Sequence, residues 1–330
     1  HPSHHPYVMS RRFETHFLDC YSGSVLSYCS LSCVTLVVFG ECSSMRHVCT
    51  VSGKDSLSVA LLLRESHPEL AVEYVWNDTG WELPEVHDWI GRVECYLGAS
   101  IYRCGDDLTE IVSEQGLLPS RMRRFCTKYA KIFPIRDYLA GAEHTLYLGL
   151  RADENDRILG MTPSKNQTLS FPLKDVGFGL SEVWSLVSKT GLMPPLFTWQ
   201  WMVDRVAELG GERLDIMPEW EWLQLFSGRS RPNCDRCFFQ RQYEWIWLRE
   251  THPSRFQAAC EMEEQYQALS TYRWLGKDVP LASIVDRASE IKERRARWIL
   301  RYLTERSQFK FPFFDDNPFG ATSCGLFCGK

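Results

Sequence analysis

The residues whose types and spacing could do chemistry begin with a short polar turn, VSGKDS at residues 51–56. A glycine and two hydroxyls between a predicted strand and a predicted helix are typical of an anion site. The first-turn N–H groups of a helix have no intrahelical partner and lie at the positive end of its dipole. Lys54 adds positive charge, and Asp55 is predicted either to cap the helix or to act as a ligand on the Mg²⁺ side of a phosphate. Because the Walker pattern Gly-x-x-x-x-Gly-Lys-Ser/Thr is absent, an ordinary capped turn stays open as the alternative.

Two further polar clusters follow predicted strands. Residues 77–79 (Asn-Asp-Thr) end a predicted strand over 69–78, and residues 151–154 (Arg-Ala-Asp-Glu) end another over 144–154. The carboxyl ends of parallel strands meet at one edge of a sheet, which is where open α/β sheets bind their ligands. We therefore expect the three clusters to lie at the same edge.

The elements that must position these clusters alternate between strand and helix. A strand over 46–51 precedes a helical pattern over 57–65, and the strand over 69–78 precedes a second helical pattern over 83–98. This alternation predicts an α/β fold with a doubly wound, mostly parallel sheet that has helices on both faces. Helical patterns then dominate the chain over 179–191, 240–270 and 281–307, after an aromatic-rich stretch over 197–228.

These changes in pattern divide the chain into three predicted parts. Residues 1–44 are rich in Ser, Cys and His without a clear period, and we expect a disordered or non-native leader there. A signal peptide is the alternative, although acidic residues separate its arginines from a short apolar stretch. Residues 45–170 are predicted to form the α/β core, opening at Met45, and residues 171–330 a helical, cysteine-bearing region.

Composition limits the classes of protein that fit. The net charge is −5, so nucleic acid would have to bind a local basic patch rather than the molecule as a whole. No apolar run approaches the ~20 residues of a membrane span, which predicts a protein without a membrane partner. The chain has 13 cysteines, and the spacings Cys234-x-x-Cys237 and Cys324-x-x-x-Cys328 suit metal or cluster ligands in a reducing, cytoplasmic compartment.

Several further segments, in order along the chain, carry a family resemblance. They are NDTGWELPE, RFCTKYAKIFP, LGLRADENDR, FPLKDVGFGLSEVW and NCDRC, which follow VSGKDS and together span about residues 46–262. In this order they resemble the phosphoadenosine phosphosulfate (PAPS) reductase family, whose members have an adenine-nucleotide α-hydrolase-like fold with a pyrophosphate loop. The resemblance covers the predicted α/β core and continues into the helical region.

The resemblance implies a set of nucleotide-binding residues. Ser52, Gly53 and Ser56 would surround a phosphate, with Lys54 and Asp55 in catalytic roles. Beyond this loop, the family pattern places Asp78 and Thr79 beside the nucleotide and pairs Arg151 with a phosphate or sulfate. The plainer alternatives are a strand-end turn for Asp78 and a surface ion pair with Glu154 for Arg151.

The resemblance also indicates which nucleotide is bound and which reaction it undergoes. Val51 stands where many relatives have serine, but Gly-Lys-Asp-Ser is retained, as in members that cleave ATP between its α and β phosphates with Mg²⁺. The first hypothesis is therefore an ATP pyrophosphatase that adenylates a substrate in sulfur transfer or in nucleic-acid modification of the phosphorothioation type. The second is a thiol-dependent reductase of PAPS or adenosine phosphosulfate (APS) that releases sulfite. The third is a nucleotide-binding protein without catalysis.

The cysteines allow two metal arrangements by the same resemblance. In one, Cys126, Cys234, Cys237 and Cys328 bind a 4Fe–4S cluster and Cys324 is a reactive thiol. In the other, both cysteine pairs form a Cys₄ zinc site. Two core thiols at Cys-x-x-Cys remain the plain alternative. The partners implied are an adenine nucleotide, a sulfur-donor protein or thioredoxin, and a nucleic-acid acceptor.

Two basic stretches could contact such an acceptor. One surrounds Cys126, and the other lies on the last predicted helix. A solvated helix face is the plain interpretation of both, and a nucleic-acid or polyphosphate surface is the functional one. Their members are Arg121, Arg123, Arg124, Lys128 and Lys131 in the first, and Lys292, Arg294, Arg295, Arg297, Arg301 and Arg306 in the second.

Overall fold

A computed structural model describes residues 45–154, 161–215, 217–232, 234–267 and 272–308. The predicted leader, residues 1–44, lies outside these ranges, and so do Cys324 and Cys328. Within them, the chain forms a parallel sheet that continues into a helical region. Across the described residues no helix combines the length and the apolar character that a membrane span requires.

Five parallel strands form the central sheet of the described residues, in the order β3-β2-β1-β4-β5. The chain builds the sheet outward from β1 to β3, then returns to the other side of β1 with β4 and β5. This reversal places a topological switch point between the carboxyl ends of β1 and β4, the position where doubly wound sheets bind ligands. The predicted fold class is confirmed. The strands are β1 Arg46–Thr50, β2 Val72–Asn77, β3 Ile101–Cys104, β4 His144–Tyr147 and β5 Gln167–Ser170.

Helices cover the sheet and connect its strands. Apolar side chains of β1 and of the helices pack into a continuous core that extends into the helical region. The helices within and around the sheet are α1 Lys54–Ser66, α2 Pro84–Leu97, α3 Leu108–Gln115, α4 Phe125–Thr127, a π-helix Lys128–Ile132, α5 Phe133–Leu139, a 3₁₀ turn Ala152–Glu154, α6 Pro172–Asp175 and α7 Leu180–Lys189.

The remaining described elements are mostly helical. Trp199 of the aromatic-rich stretch is buried, and Trp201 and Trp222 pack against the same core. These elements are α8 Gln200–Glu208, α9 Glu219–Leu225, α10 Gln242–Thr251, α11 Pro253–Tyr266, a two-stranded ribbon of β6 Tyr272–Arg273 and β7 Gly276–Lys277, a 3₁₀ helix Leu281–Arg287, and α12 Ala288–Gln308.

The strand predicted over 144–154 is shorter than expected. It ends at Tyr147, because the chain then turns across the start of α1. A Cβ at Gly149 would lie 2.6 Å from the Ser56 backbone nitrogen, so a residue with a side chain could not follow this path. The sequence pattern missed the turn because Leu148 and Leu150 are both buried and continue the apolar pattern.

Two helix predictions also need correction. The pattern over 240–270 is divided into α10 and α11 at His252, since Pro253 has no N–H to continue the ladder and opens a new helix instead. The first helix begins at Lys54 rather than at residue 57, with Gly53 as its N-cap residue. Asp55 therefore lies in the first turn of α1, and its predicted role as the cap is wrong.

Candidate functional site

The VSGKDS turn joins β1 to α1 at the switch point. Val51 is fully buried, and its N–H donates to the carbonyl oxygen of Val75 on β2 at 2.8 Å. The valine that distinguishes this loop from many relatives therefore extends the sheet and belongs to the core. The part of the loop available to a ligand begins at Ser52.

Ser56 organises the turn. Its Oγ accepts the N–H of Ser52 at 2.8 Å and that of Gly53 at 3.1 Å, and it donates to the Gly53 carbonyl at 3.1 Å. These bonds orient the loop so that the first-turn N–H groups of α1, which have no intrahelical acceptor, point away from the helix. Direct contact of Ser52 and Ser56 with phosphate stays a prediction.

Gly53 lies in extended backbone and leaves open space beside it. A Cβ built there meets no protein atom within 4 Å, and its φ of 176° is accessible to any residue. The protein fold alone therefore does not demand a glycine at this position. A ligand that approaches the backbone closely would require a glycine there.

Asp55 lies between two cations. Its Oδ2 is 2.7 Å from Lys54 Nζ, and its Oδ1 accepts from Arg151 Nη1 at 3.0 Å. Burial alone would raise the pKa of Asp55, but the charges of Lys54 and Arg151 outweigh it and lower that pKa overall. The loop after β1 and the loop after β4 are thus joined by a buried, ionised carboxylate.

Arg151 is a buried member of this network. It is 4 % exposed, its Nε donates to Asp153 Oδ1 at 2.8 Å, and its Nη1 lies 3.6 Å from Glu154 Oε2. Burial opposes its charge, yet Asp55 and Glu154 raise the pKa of Arg151 above its ordinary value. The ion pair with Glu154 in the plainer alternative is therefore present, but it is buried rather than at the surface, and Arg151 also bonds the two aspartates.

Lys54 also contacts the helical region. Its Nζ lies 5.8 Å from the centre of the Trp184 ring on α7, and Trp184 stacks on Trp220 at 5.5 Å. A cation above an aromatic face is attracted by the ring quadrupole. Sequence reasoning did not assign Trp184 to the site, although it ends the FPLKDVGFGLSEVW segment and could have been included from that motif.

Asp78 forms a tight turn where β2 ends. Its N–H donates to the Cys104 carbonyl at 2.8 Å, and its Oδ1 accepts the N–H of Gly80 at 3.1 Å. At Gly105, where φ is +133°, a Cβ would lie 2.1 Å from the Asp78 carbonyl oxygen. The structure thus shows the strand-end turn, and nucleotide contact by Asp78 stays a prediction.

Thr79 is buried beside an acidic residue that sequence reasoning missed. Glu82, 5 % exposed, accepts the Thr79 N–H at 2.8 Å and the Thr79 Oγ1–H at 2.8 Å. Burial raises the pKa of Glu82 to about 7, although Lys131 and the Thr79 bonds oppose that shift. Its position inside NDTGWELPE was the available signal.

The Cys-x-x-Cys loop packs directly on this turn. Cys234 is buried, and its Sγ lies 3.5 Å from Thr79 Oγ1 and 3.8 Å from Glu82 Oε1. The Asp235 N–H donates to the Trp81 carbonyl at 2.6 Å. The cysteine segment therefore borders the turn after β2.

The described cysteines do not form a metal centre by themselves. Cys237 is buried and Cys126 on α4 is half-buried. Among the residues that the structure describes, no group of three or more His, Cys, Asp or Glu side chains is arranged to bind a metal ion. The cluster and zinc arrangements both call on Cys324 or Cys328, which lie outside the described ranges, and both arrangements stay predictions.

Known proteins resemble parts of this chain. PAPS reductase from Candida auris in a phosphate complex has 12 % identity and a TM-score of 0.36, over 51 % of this chain and 80 % of its own. The U34-tRNA thiolase NcsA from Methanococcus maripaludis with its [4Fe–4S] cluster has 13 % identity and a TM-score of 0.35, over 68 % of this chain and 71 % of its own. At these values neither structure supports an inference about activity. No curated protein matches the chain by sequence.

A comparison with protein-family models gives stronger evidence of family membership than these two structures. The model described as the phosphoadenosine phosphosulfate reductase domain matches residues 46–197. That range contains β1 to β5, the VSGKDS turn and the Asp55–Arg151 network. The resemblance inferred from the motifs is confirmed, and residues 46–197 of this chain are a domain of the phosphoadenosine phosphosulfate reductase family.

Proposed function

We propose that the protein binds ATP at the switch point and cleaves it between the α and β phosphates, adenylating an acceptor in sulfur transfer or nucleic-acid modification. The observation that supports this proposal is the Lys54–Asp55–Arg151 network in a retained Gly-Lys-Asp-Ser loop, with Asp55 and Arg151 buried. Two cations and a helix N-terminus converge there, and cleavage at this bond requires neutralising a leaving pyrophosphate.

The network suggests a separate role in ATP binding for each of these residues. An incoming pyrophosphate group would compete with Asp55 for Lys54 and Arg151. As those cations turn to the phosphates, the Asp55 carboxylate becomes available to the Mg²⁺ that accompanies ATP. Open space beside Gly53 would let the phosphates approach the first-turn N–H groups of α1.

The chemical step is a substitution at the α phosphorus. The acceptor nucleophile forms a bond to that phosphorus while the bond to the bridging α–β oxygen breaks, and pyrophosphate leaves with the electron pair. Lys54 and Arg151 would stabilise the charge that develops on the leaving group. Under this proposal the protein acts in the cytoplasm, where a sulfur-donor protein or thioredoxin would be its partner.

Product analysis tests the proposal. The full-length protein is incubated with α-labelled ATP and Mg²⁺, separately with sulfide, bulk tRNA and single-stranded DNA as acceptors. We expect AMP or an adenylated acceptor together with pyrophosphate, and at least a hundred-fold loss in Lys54→Met. Lys189→Gln, an exposed lysine at the end of α7, is the matched control and should keep full activity.

Two outcomes would reject the proposal. If ATP binds but no arm yields pyrophosphate, the domain is a nucleotide-binding module without this catalysis. If PAPS or APS with thioredoxin yields sulfite instead, the protein is a reductase.

A further inference from the structure

One segment of the described chain concentrates positive charge. Residues 121–136, here called the basic strip, contain six cationic residues and no acidic one, in a protein whose net charge is −5. The strip runs from the loop before α4 through the π-helix into α5. A local excess of this kind attracts anions even when the whole molecule is acidic.

The second basic stretch, on α12, is different. Lys292 pairs with Glu250 at 2.7 Å, Arg301 with Glu305 at 3.8 Å and Arg306 with Glu221 at 2.6 Å. Arg295 is buried and donates to the Leu225 carbonyl. Acidic partners neutralise much of this charge, and burial removes part of it from the surface. The interpretation of α12 as an ordinary helix face therefore holds.

Among the described residues, four cations of the basic strip lack such partners, whereas Arg136 pairs with Asp137 at 2.9 Å. Arg121, Arg123 and Lys128 are exposed, and Arg124 is half-buried. None of these four side chains has a carboxylate within 4 Å among the residues that the structure describes. The Nε and Nη2 atoms of Arg124 are buried without an acceptor. These four residues therefore carry charge and donors that the described fold does not pair.

Aromatic rings hold these cations in a defined arrangement. The guanidinium carbons of Arg121, Arg124 and Arg231 lie 5.5, 5.6 and 5.7 Å from the centre of the Phe239 ring. Farther along, Lys128 Nζ lies 5.1 Å from the centre of the Phe133 ring. Arg121 and Arg124, which lack a carboxylate partner among the described residues, repel one another across this ring, and a bound anion would relieve that repulsion.

The strip borders the edge of the sheet that carries the site. Asn77, the last residue of β2, donates through Nδ2 to the Lys131 carbonyl at 3.2 Å. Phe239 follows Cys237 by two residues, and Cys234 of the same loop contacts Thr79. An anion along the strip would therefore lie beside the turn after β2.

We propose that the basic strip binds a single-stranded segment of nucleic acid and presents it to the nucleotide site as the acceptor, an inference that rests on the proposed function. A phosphodiester backbone supplies one negative charge per nucleotide, and unstacked bases can pack on guanidinium planes and aromatic rings. An acidic protein fits less well, because protein interfaces need an apolar centre. Met122 is the large apolar side chain that the strip leaves exposed.

Fluorescence anisotropy tests the proposal with the full chain and without ATP. The probes are labelled 20-nucleotide single-stranded RNA and single-stranded DNA, a duplex of the same sequence, and polyglutamate. Arg121→Gln/Arg123→Gln/Lys128→Gln removes three exposed charges from the strip. Arg287→Gln/Arg294→Gln/Arg301→Gln removes three exposed, glutamate-paired charges from the other basic stretch and its flank.

We expect the strip variant to bind one of the single strands at least ten-fold more weakly than wild type. The slope of log affinity against log salt should fall by about 2, since each lost phosphate contact contributes about 0.7 for single strands. The control variant should stay within two-fold of wild type. The charge-conserving Arg121→Lys/Arg123→Lys/Lys128→Arg variant should stay within three-fold, and circular dichroism checks that every variant is folded.

Other outcomes would overturn the proposal. These are absence of binding to both single strands, equal loss in the two Gln variants, tighter binding of the duplex, or polyglutamate binding as tight as that of the oligonucleotides. Because the assay contains no ATP, its result is independent of whether ATP is cleaved. A failed pyrophosphate assay with intact strand binding would reject the proposed function and leave the strip as a nucleic-acid surface.

Discussion

At the residue scale, the two glycines beside the first turn of α1 have opposite relations to the fold. The Gly53 position is sterically open, whereas at Gly149 a Cβ would lie 2.6 Å from the Ser56 nitrogen and 2.7 Å from the Asp55 carbonyl carbon. Packing thus tolerates a side chain at position 53, whereas it requires a glycine at position 149. This contrast separates a role in binding from a role in folding.

Gly53→Ala is predicted to affect ligand binding with only a small effect on stability. Its free energy of unfolding should fall by no more than about 1 kcal/mol, the cost of alanine at an N-cap position, while ATP binds at least ten-fold more weakly because a methyl group occupies the approach of the phosphates. Gly149→Ala should instead lose about 2–3 kcal/mol through overpacking against backbone. Urea unfolding and titration calorimetry measure the two quantities. Unchanged ATP affinity in Gly53→Ala would argue against a phosphate loop.

Glu82 is predicted to make stability depend on pH. Its pKa is about 7 in the folded protein and near its ordinary value in the unfolded chain, so the folded state binds the extra proton between about pH 4.5 and 7. The free energy of unfolding should therefore fall as pH rises through that window, by an amount on the order of 3 kcal/mol, and show no further change from this group above it.

Urea midpoints at pH 5 and pH 8 measure this dependence. Glu82→Gln cannot titrate, so its midpoint should change less between the two values than that of wild type. Glu110→Gln, at an exposed carboxylate on α3, should retain the wild-type change. An identical dependence in Glu82→Gln would show that this carboxyl is not the group responsible.

At the element scale, the Cys-x-x-Cys loop depends on one buried aspartate. Asp235 is fully buried, and its Oδ2 accepts from Arg255 Nη1 on α11 at 2.6 Å. Its backbone N–H bonds to Trp81, and Arg229 Nη2 donates to the Cys234 carbonyl at 3.0 Å. The loop is therefore attached both to a helix and to the turn after β2.

Asp235→Asn is predicted to loosen this loop. Removing the Asp235 charge costs about 1–3 kcal/mol, because the partly exposed Arg255 loses its carboxylate partner and keeps part of its desolvation cost. Hydrogen exchange of residues 79–83 and 234–240 should accelerate, whereas exchange in β1 and β4 should change less. Asp88→Asn, at an exposed carboxylate on α2, serves as the control. Uniform acceleration over the whole chain would contradict a local role.

At the scale of the whole molecule, the fold could be predicted from the sequence more completely than the candidate site. Strand and helix patterns and the motif order are local, and they predicted the α/β sheet and its polar edge. The partners of the site residues are distant: Asp55 and Arg151 are 96 positions apart, and Glu82 and Cys234 are 152 apart. Neither pairing follows from spacing, because both depend on how the sheet and the helical region pack together.

A contact between residues far apart in the sequence also explains why the strand predicted over 144–154 is longer than the observed one. The pattern there is locally that of a strand, and only the proximity of α1 forces the chain to turn at Gly149. The basic stretches illustrate the same point, since their charges look alike in sequence and differ in whether acidic partners lie nearby in space.

The contact between Lys54 and Trp184 has a consequence for how the protein is made. Translation delivers residues from the amino end, so β1 and the start of α1 leave the ribosome long before α7 does. Lys54 reaches its aromatic neighbour only when Trp184 has emerged, and the turn at Thr79 awaits Cys234. A nascent chain that stops within the sheet therefore has the strands of the site without its completed edge, and nucleotide capture should follow synthesis of the helical region.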